Sequence, residues 1–177
     1  MKKLIAISLF VVAIITAHVL TLRSVPSVIM TKAIAAMGKR GIPEYKFVLS
    51  EPVTLETQTI VRSSPDLAYS ICLFDLSNGP VFVSGAKWHG YGSLTIFDGV
   101  TDAVYIASLD AADTNISGSV VLTMDDKFIS KEHPVAILNK PKGIALIRRL
   151  APSTALFERV QTLSELDLCS PLSATHK

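Results

Sequence analysis

The sequence predicts an α+β protein that is mainly β: an N-terminal transmembrane helix, then an antiparallel sheet or β-sandwich domain with a C-terminal helix. Three observations lead there. Leu4 to Leu22 is an apolar run without Lys, Arg, Asp or Glu. Beyond residue 66, short runs of β-branched and aromatic residues are separated by turn signals, with no helical period between them. From Pro152 onward the period changes, and Leu156, Val160 and Leu163 recur at helical spacing.

The chain has 177 residues, room for one domain of ordinary size plus an anchor or tail. At about 1.5 Å per residue, the first apolar run would span roughly 28 Å, close to the hydrocarbon thickness of a bilayer. Lys2 and Lys3 precede it and Arg23 ends it, so residues 1–23 read as an anchor with a charge at each headgroup layer. A cleaved signal peptide is the alternative. Its core is usually about 7–15 residues, ahead of a small-x-small site. Here the core is longer, and Val25-Pro26-Ser27 is a poor cleavage site. Lys2, Lys3 and the α-amino group favour an N-terminus inside; a long following domain translocates largely regardless of the basic residues after the span. The expected location is therefore the bacterial inner membrane, single-pass, with the N-terminus cytoplasmic and the domain periplasmic. The lipid bilayer is the first expected partner.

Residues 24–41 read as a separate juxtamembrane helix. Ser24 is a candidate cap, Pro26 suits a first turn, and Gly38 and Gly41 suit an end. Such a helix either lies in the headgroup layer, with Lys32, Lys39 and Arg40 near phosphates, or packs on its own domain. Residues 42–169 form the expected β-rich domain. Its opening stretch, with Pro43, Pro52 and Pro65, suits short extended pieces. Strands are expected at Ala68–Leu76, Val81–Val83, Gly92–Phe97, Ala103–Ala107, Ser119–Thr123, Val135–Leu138 and Ile144–Leu150. Ser77–Pro80 is a strong turn signal, and the strands flanking it read as a hairpin. The terminal helix runs to about Leu168, and residues 170–177 read as a loose tail.

Charge excludes one class of partner. Lys2 and Lys3 account for the net +2, and the remainder carries 15 basic and 15 acidic residues. There is no electrostatic case for nucleic acid. His18, His89, His133 and His176 are scattered, with no carboxylate or cysteine at metal-ligand spacing, so neither a metal nor a cofactor is expected. Ser70, Ser84 and Ser93 lack a nucleophile-elbow context, and no catalytic residue is assigned. Asp66, Asp75 and Asp98 are the carboxylates set among apolar strands. Two or three meeting in a cleft would do acid–base work; an Asp at a strand end more often caps a turn through backbone amides. Asn115-Ile116-Ser117 matches a glycosylation acceptor. Cys72 and Cys169 are either one bridge, open to them in an oxidising compartment, or two separate buried thiols.

Asp66, the pair Tyr69-Ser70, and then Asp75-Leu76-Ser77-Asn78-Gly79-Pro80 resemble the hallmark of a bacterial family known as domain of unknown function twelve fifty-four. Tyr91 to Asp98 is similar to its aromatic strand, and Ala145–Leu150 with Pro152 and a helix to its closing elements. The likeness runs from about residue 55 to 168 and includes the anchor's end, Ala17 to Leu22, which looks like that of the short members. The resemblance implies a β-rich envelope domain and, because larger relatives carry a second β-rich domain, a companion β-rich envelope protein for a short chain. It also favours a Cys72–Cys169 bridge, since both match cysteine positions in the short members. The chain departs from the larger relatives at Ser64, Leu67-Ala68 and Ala103, where they carry Asn or Thr. The family label implies no activity. The leading expectation is thus a membrane-tethered interaction module; the rival is an envelope enzyme or small-ligand binder using Asp66, Tyr69, Asp75, Asp98 or Arg148.

Overall fold

The computed structural model describes residues 2–54, 57, 63–113 and 118–172. The glycosylation pattern at Asn115, much of the stretch before Ser63 and the end of the tail, 173–177, lie outside them. The first element is one helix, α1 (Lys2–Lys39), long and apolar enough to cross a membrane. It corrects the expected division at residue 23: anchor and juxtamembrane segment are continuous through Pro26. Proline removes one helical donor, but the turns before it are knit by hydroxyls, Thr21 donating to Ala17 O (2.9 Å) and Ser24 to Thr21 O (3.1 Å). Serine and threonine hydroxyls are a known way for an apolar helix to tolerate proline.

Beyond α1 the chain folds into two packed sheets. One has five strands in the order β1-β2-β8-β4-β5, formed by β1 (Val48–Leu49), β2 (Leu67–Asp75), β4 (Gly92–Phe97), β5 (Ala103–Ser108) and β8 (Lys142–Leu150). The other has the order β7-β6-β3-β9, from β3 (Val81–Ser84), β6 (Ser119–Thr123), β7 (Val135–Ile137) and β9 (Leu168–Pro171). All pairings are antiparallel except β6 with β7, which run parallel. Alternate residues of each strand meet between the sheets. Phe74, Leu94, Ile96, Ala145 and Ile147 of the larger sheet pack against Val81, Val83, Val120, Leu122 and Ala136 of the smaller. Phe74 needs Gly143 opposite it, because a Cβ there would run into the phenyl ring.

The hairpin expected across Ser77–Pro80 is not formed: β2 and β3 belong to different sheets. A 3-10 turn at Leu76–Asn78, Gly79 at φ 130° and the donor-less Pro80 turn the chain out of one layer and into the other. The helix α2 (Thr154–Ser164), capped by Ser153, ends earlier than expected. It closes one end of the sandwich, with Leu156, Phe157, Val160 and Leu163 against Ala68, Trp88 and Ala151. Residues 168–171 are strand rather than helix end and loose tail, because Val81 to Ser84 give them a ladder partner.

Two ties join the sheets at this end. Cys72 on β2 and Cys169 on β9 form a disulfide, 97 residues apart in sequence. Two residues before Cys169, the carboxylate of Asp167 takes a bidentate pair of bonds from Arg149 of β8 (2.6 and 2.8 Å), and both side chains are fully buried. Ala86, just past β3, completes the knot: its N–H donates to Asp167 (2.9 Å) and its carbonyl accepts from Arg149 (2.8 Å).

Asp167→Ala is expected to destabilise the protein by about 3–5 kcal/mol, since it leaves a buried guanidinium uncompensated. The double replacement Arg149→Met with Asp167→Leu should cost much less; urea unfolding in detergent checks both. Replacing both cysteines by Ala should remove about 4–5 kcal/mol, as for a loop near 100 residues. The unreduced, unfolded parent should not react with a maleimide.

Candidate functional site

The face of the five-stranded sheet turned away from the core is where the predicted polar residues can meet a cavity. Register sets its rows. Tyr69, Arg148 and Ser93 lie side by side, then Ile71, Leu146 and Thr95, then Leu73, Ile144 and Phe97, and finally Asp75 beside Lys142. The two middle rows are largely apolar, and the C-terminal part of α1 covers them in part: Met30, Ile34 and Met37, with Ile42 just beyond, pack on Ile71, Leu73, Ile144, Phe97 and Leu146. The segment from Ser24 therefore packs on its own domain rather than lying flat in a headgroup layer, because this sheet face is apolar and needs cover.

What α1 leaves uncovered is a groove of about 580 Å³ between the helix, the sheet and the chain near Ser50 and Ser64. Met30 and Met37 form its helix wall, Ile71 and Leu146 its floor, and Tyr69 and Arg148 its polar end. Arg148 is half-buried. One of its terminal nitrogens donates to Thr95 Oγ1 (3.2 Å), while its Nε is buried without a partner among the described residues. Among the described residues no carboxylate pairs with it. The Tyr69 hydroxyl accepts from the Ser64 N–H (2.8 Å).

The remaining predicted residues do not converge here. Asp66 is exposed at the turn before β2, where its N–H approaches Ser64 Oγ. Ser70 points into the core side, its hydroxyl buried and unpartnered among the described residues. Asp98 is buried and accepts from the N–H groups of Val100 (2.9 Å) and Asp102 (3.0 Å), holding the β4–β5 turn. Gly79 and Pro80 serve the crossover between sheets, the Pro80 carbonyl also accepting from Leu172 N–H (2.8 Å). Asp75 caps the 3-10 turn, accepting from Ser77 N–H (2.9 Å) and Ser77 Oγ (2.6 Å), and pairs with Lys142 at 3.2 Å. Lys142 and Arg148 are six residues apart on β8, about 20 Å along the strand. So Asp75 and Arg148 mark opposite ends of the face and do no joint chemistry. Among the described residues no His, Cys, Asp or Glu cluster could hold a metal.

Two pairs of residues were not expected from the sequence. Met30 and Met37 wall the groove although they were assigned to a juxtamembrane helix. Arg149 and Asp167 form the buried pair; the signal for it was the Arg148-Arg149 doublet, since adjacent strand residues must point to opposite faces.

A family model described as "Protein of unknown function (DUF1254)" matches residues 46–170. Comparison with curated proteins found no match. Among solved structures, the VPA0106 protein from Vibrio parahaemolyticus is similar with a TM-score of 0.62 at 14% identity, over 86% of this chain and 39% of that one. An uncharacterised protein from Burkholderia cenocepacia has a TM-score of 0.47 at 13% identity, over 84% of this chain and 41% of that one. The first likeness is one of fold. The chain thus spans about two fifths of the length of these relatives.

Hydrogen bonds from Ser77, with Lys142 adding to them, hold the Asp75 carboxyl below its ordinary range. A carboxyl so lowered contributes stability that is present above its unfolded pKa and is lost as pH falls through the folded one. Asp75→Asn keeps an acceptor for Ser77 but loses the pairing with Lys142. Its urea midpoint should lie below the parent's at neutral pH, and the two should converge as pH drops under the usual carboxylate range.

Proposed function

The chain belongs to this family of unknown function, and from that premise we propose that it is a single-pass membrane protein whose sandwich faces the periplasm and acts as an assembly module for a second β-rich envelope protein. Strand β5 carries the reading. Each sheet has two edges, and three of the four are blunted. β1 is only two residues long, β9 ends at Pro171, and β7 is three residues long and preceded by Pro134. Short strands and prolines are ordinary ways to keep an edge from pairing with another chain. β5 has neither device. It is six residues long, Ala103 to Ser108, without charge or proline, and on its outward side Ile106 is 65% exposed. Among the described residues no strand lies beyond it. An edge of this kind is a docking surface for strand addition.

Two features support the periplasmic reading. α1 begins with Lys2 and Lys3 and is apolar enough to cross a bilayer. The Cys72–Cys169 bridge is of a kind that persists in an oxidising compartment.

Phosphatase fused after Lys177 should be active in cells, as an enzyme that matures only outside the cytoplasm; an inactive fusion places the domain inside and removes the periplasmic reading. Crosslinked pull-down of the tagged protein from native membranes should recover one β-rich envelope protein in stoichiometric amount. Ile106→Lys should abolish that recovery without lowering the unfolding temperature. Undiminished recovery would show that β5 is not the contact.

A further inference from the structure

The outer-face groove belongs to neither the β5 edge nor the sandwich core, and its composition is unusual for where it lies. The solvent side of an antiparallel sheet is ordinarily polar. Here Ile71, Leu146 and Ile144 form a floor, Met30 and Met37 a wall, and Arg148 stands at one end. From the Arg148 row to the Ile144 row is four residues, about 14 Å. The volume, about 580 Å³, falls in the range of small-molecule sites.

We propose that this groove binds a single-chain fatty carboxylate, with the acyl chain along Ile71, Leu146 and Ile144 beneath Met30 and Met37, and the carboxylate on Arg148. Three observations select that ligand class. Arg148 Nη2 is held by Thr95, and among the described residues no carboxylate pairs with the guanidinium, so the cation is oriented and its charge is uncompensated. A half-buried cation without a counter-ion favours an anion, and a carboxylate is the planar acceptor that fits a guanidinium edge. The charge count favours one negative charge: among the described residues Arg148 is the only cation lining the groove, and Glu51 stands on the same lining. A phosphate monoester would bring a second charge towards Glu51. Finally, the walls suit a flexible chain. Methionine side chains adapt to irregular apolar shapes, and Met30 lies only eight residues beyond Leu22 on the same helix, about 12 Å. The groove therefore opens close to where a bilayer would end, and an acyl chain reaches it with little exposure to water.

The test uses the full chain in phosphatidylcholine nanodiscs and a diazirine-bearing palmitate as photoprobe, with labelled peptides mapped by mass spectrometry. Label is expected on peptides containing Met30–Met37 and Ile144–Arg148. Unlabelled oleate should compete roughly tenfold better than methyl oleate, which has the same chain and no charge, and better than oleoyl lysophosphatidate. Arg148→Gln should reduce the groove label roughly tenfold, with partial recovery in Arg148→Lys. Met37→Trp, which fills the groove and leaves the cation in place, should block the label, and covers the case in which Arg148→Gln fails to fold. Equal competition by the methyl ester, better competition by lysophosphatidate, unchanged label in Met37→Trp, or label confined to the Leu4–Leu22 peptide would each overturn the proposal. None of these outcomes depends on whether a protein partner docks at β5.

Discussion

The buried pair of Arg149 and Asp167 fixes how the two layers meet. Arg149 comes from the middle of the larger sheet, and Asp167 from the approach to β9 in the smaller one. Neither is exposed, and each also engages the backbone of Ala86 at the end of β3. Two charges removed from water gain little net stability over a well-packed apolar pair, but they tolerate few other arrangements. Their placement sets the register of β9 on β3, and that register brings Cys169 across from Cys72. The terminal strand, the disulfide and the seat of α2 all follow from one ion pair at one corner of the sandwich.

Local elements were legible in the sequence, and their assembly was less so. Every strand expected between Ala68 and Leu150 is present within a residue or two, because runs such as Gly92–Phe97 and Ser119–Thr123 have strand composition and end at turn residues. The sheet to which each belongs was not legible. Ser77 to Pro80 has the composition of a hairpin turn, yet the same residues serve a crossover equally well. What decides is that Asp75 caps a 3-10 turn and Val81–Ser84 find β6 and β9. The disulfide pair was anticipated with Cys169 at the end of a helix; it lies instead in β9. A four-residue strand at a chain end has no sequence signal of its own, since its stability comes from the partner.

The candidate site divides in the same way. Tyr69 and Arg148 were singled out and do lie side by side. Asp66, Asp75 and Asp98 were singled out with them, but the latter two satisfy backbone amides at strand ends, the role that short acidic side chains usually fill. The groove itself could not be read from the chain. One wall of it is α1, and nothing in residues 24–41 says which surface their apolar side will meet. The apolar outer face of β2 and β8 was visible as near-continuous hydrophobic strands; such strands require cover on both sides, and α1 supplies only part of it.

The continuity of α1 has a mechanical consequence. With Met30, Ile34 and Met37 seated on the sheet, the helix enters the domain as a fixed mast rather than as a flexible leash. A domain on a leash sweeps a hemisphere above its membrane and meets a partner in any orientation. A domain on a mast keeps one height and one tilt, and its remaining freedom is rotation about the bilayer normal. For the partner proposed above, held in the same way, the search would run in a thin plane with both domains the right way up, and the effective concentration of the matching edge would rise without any added contact.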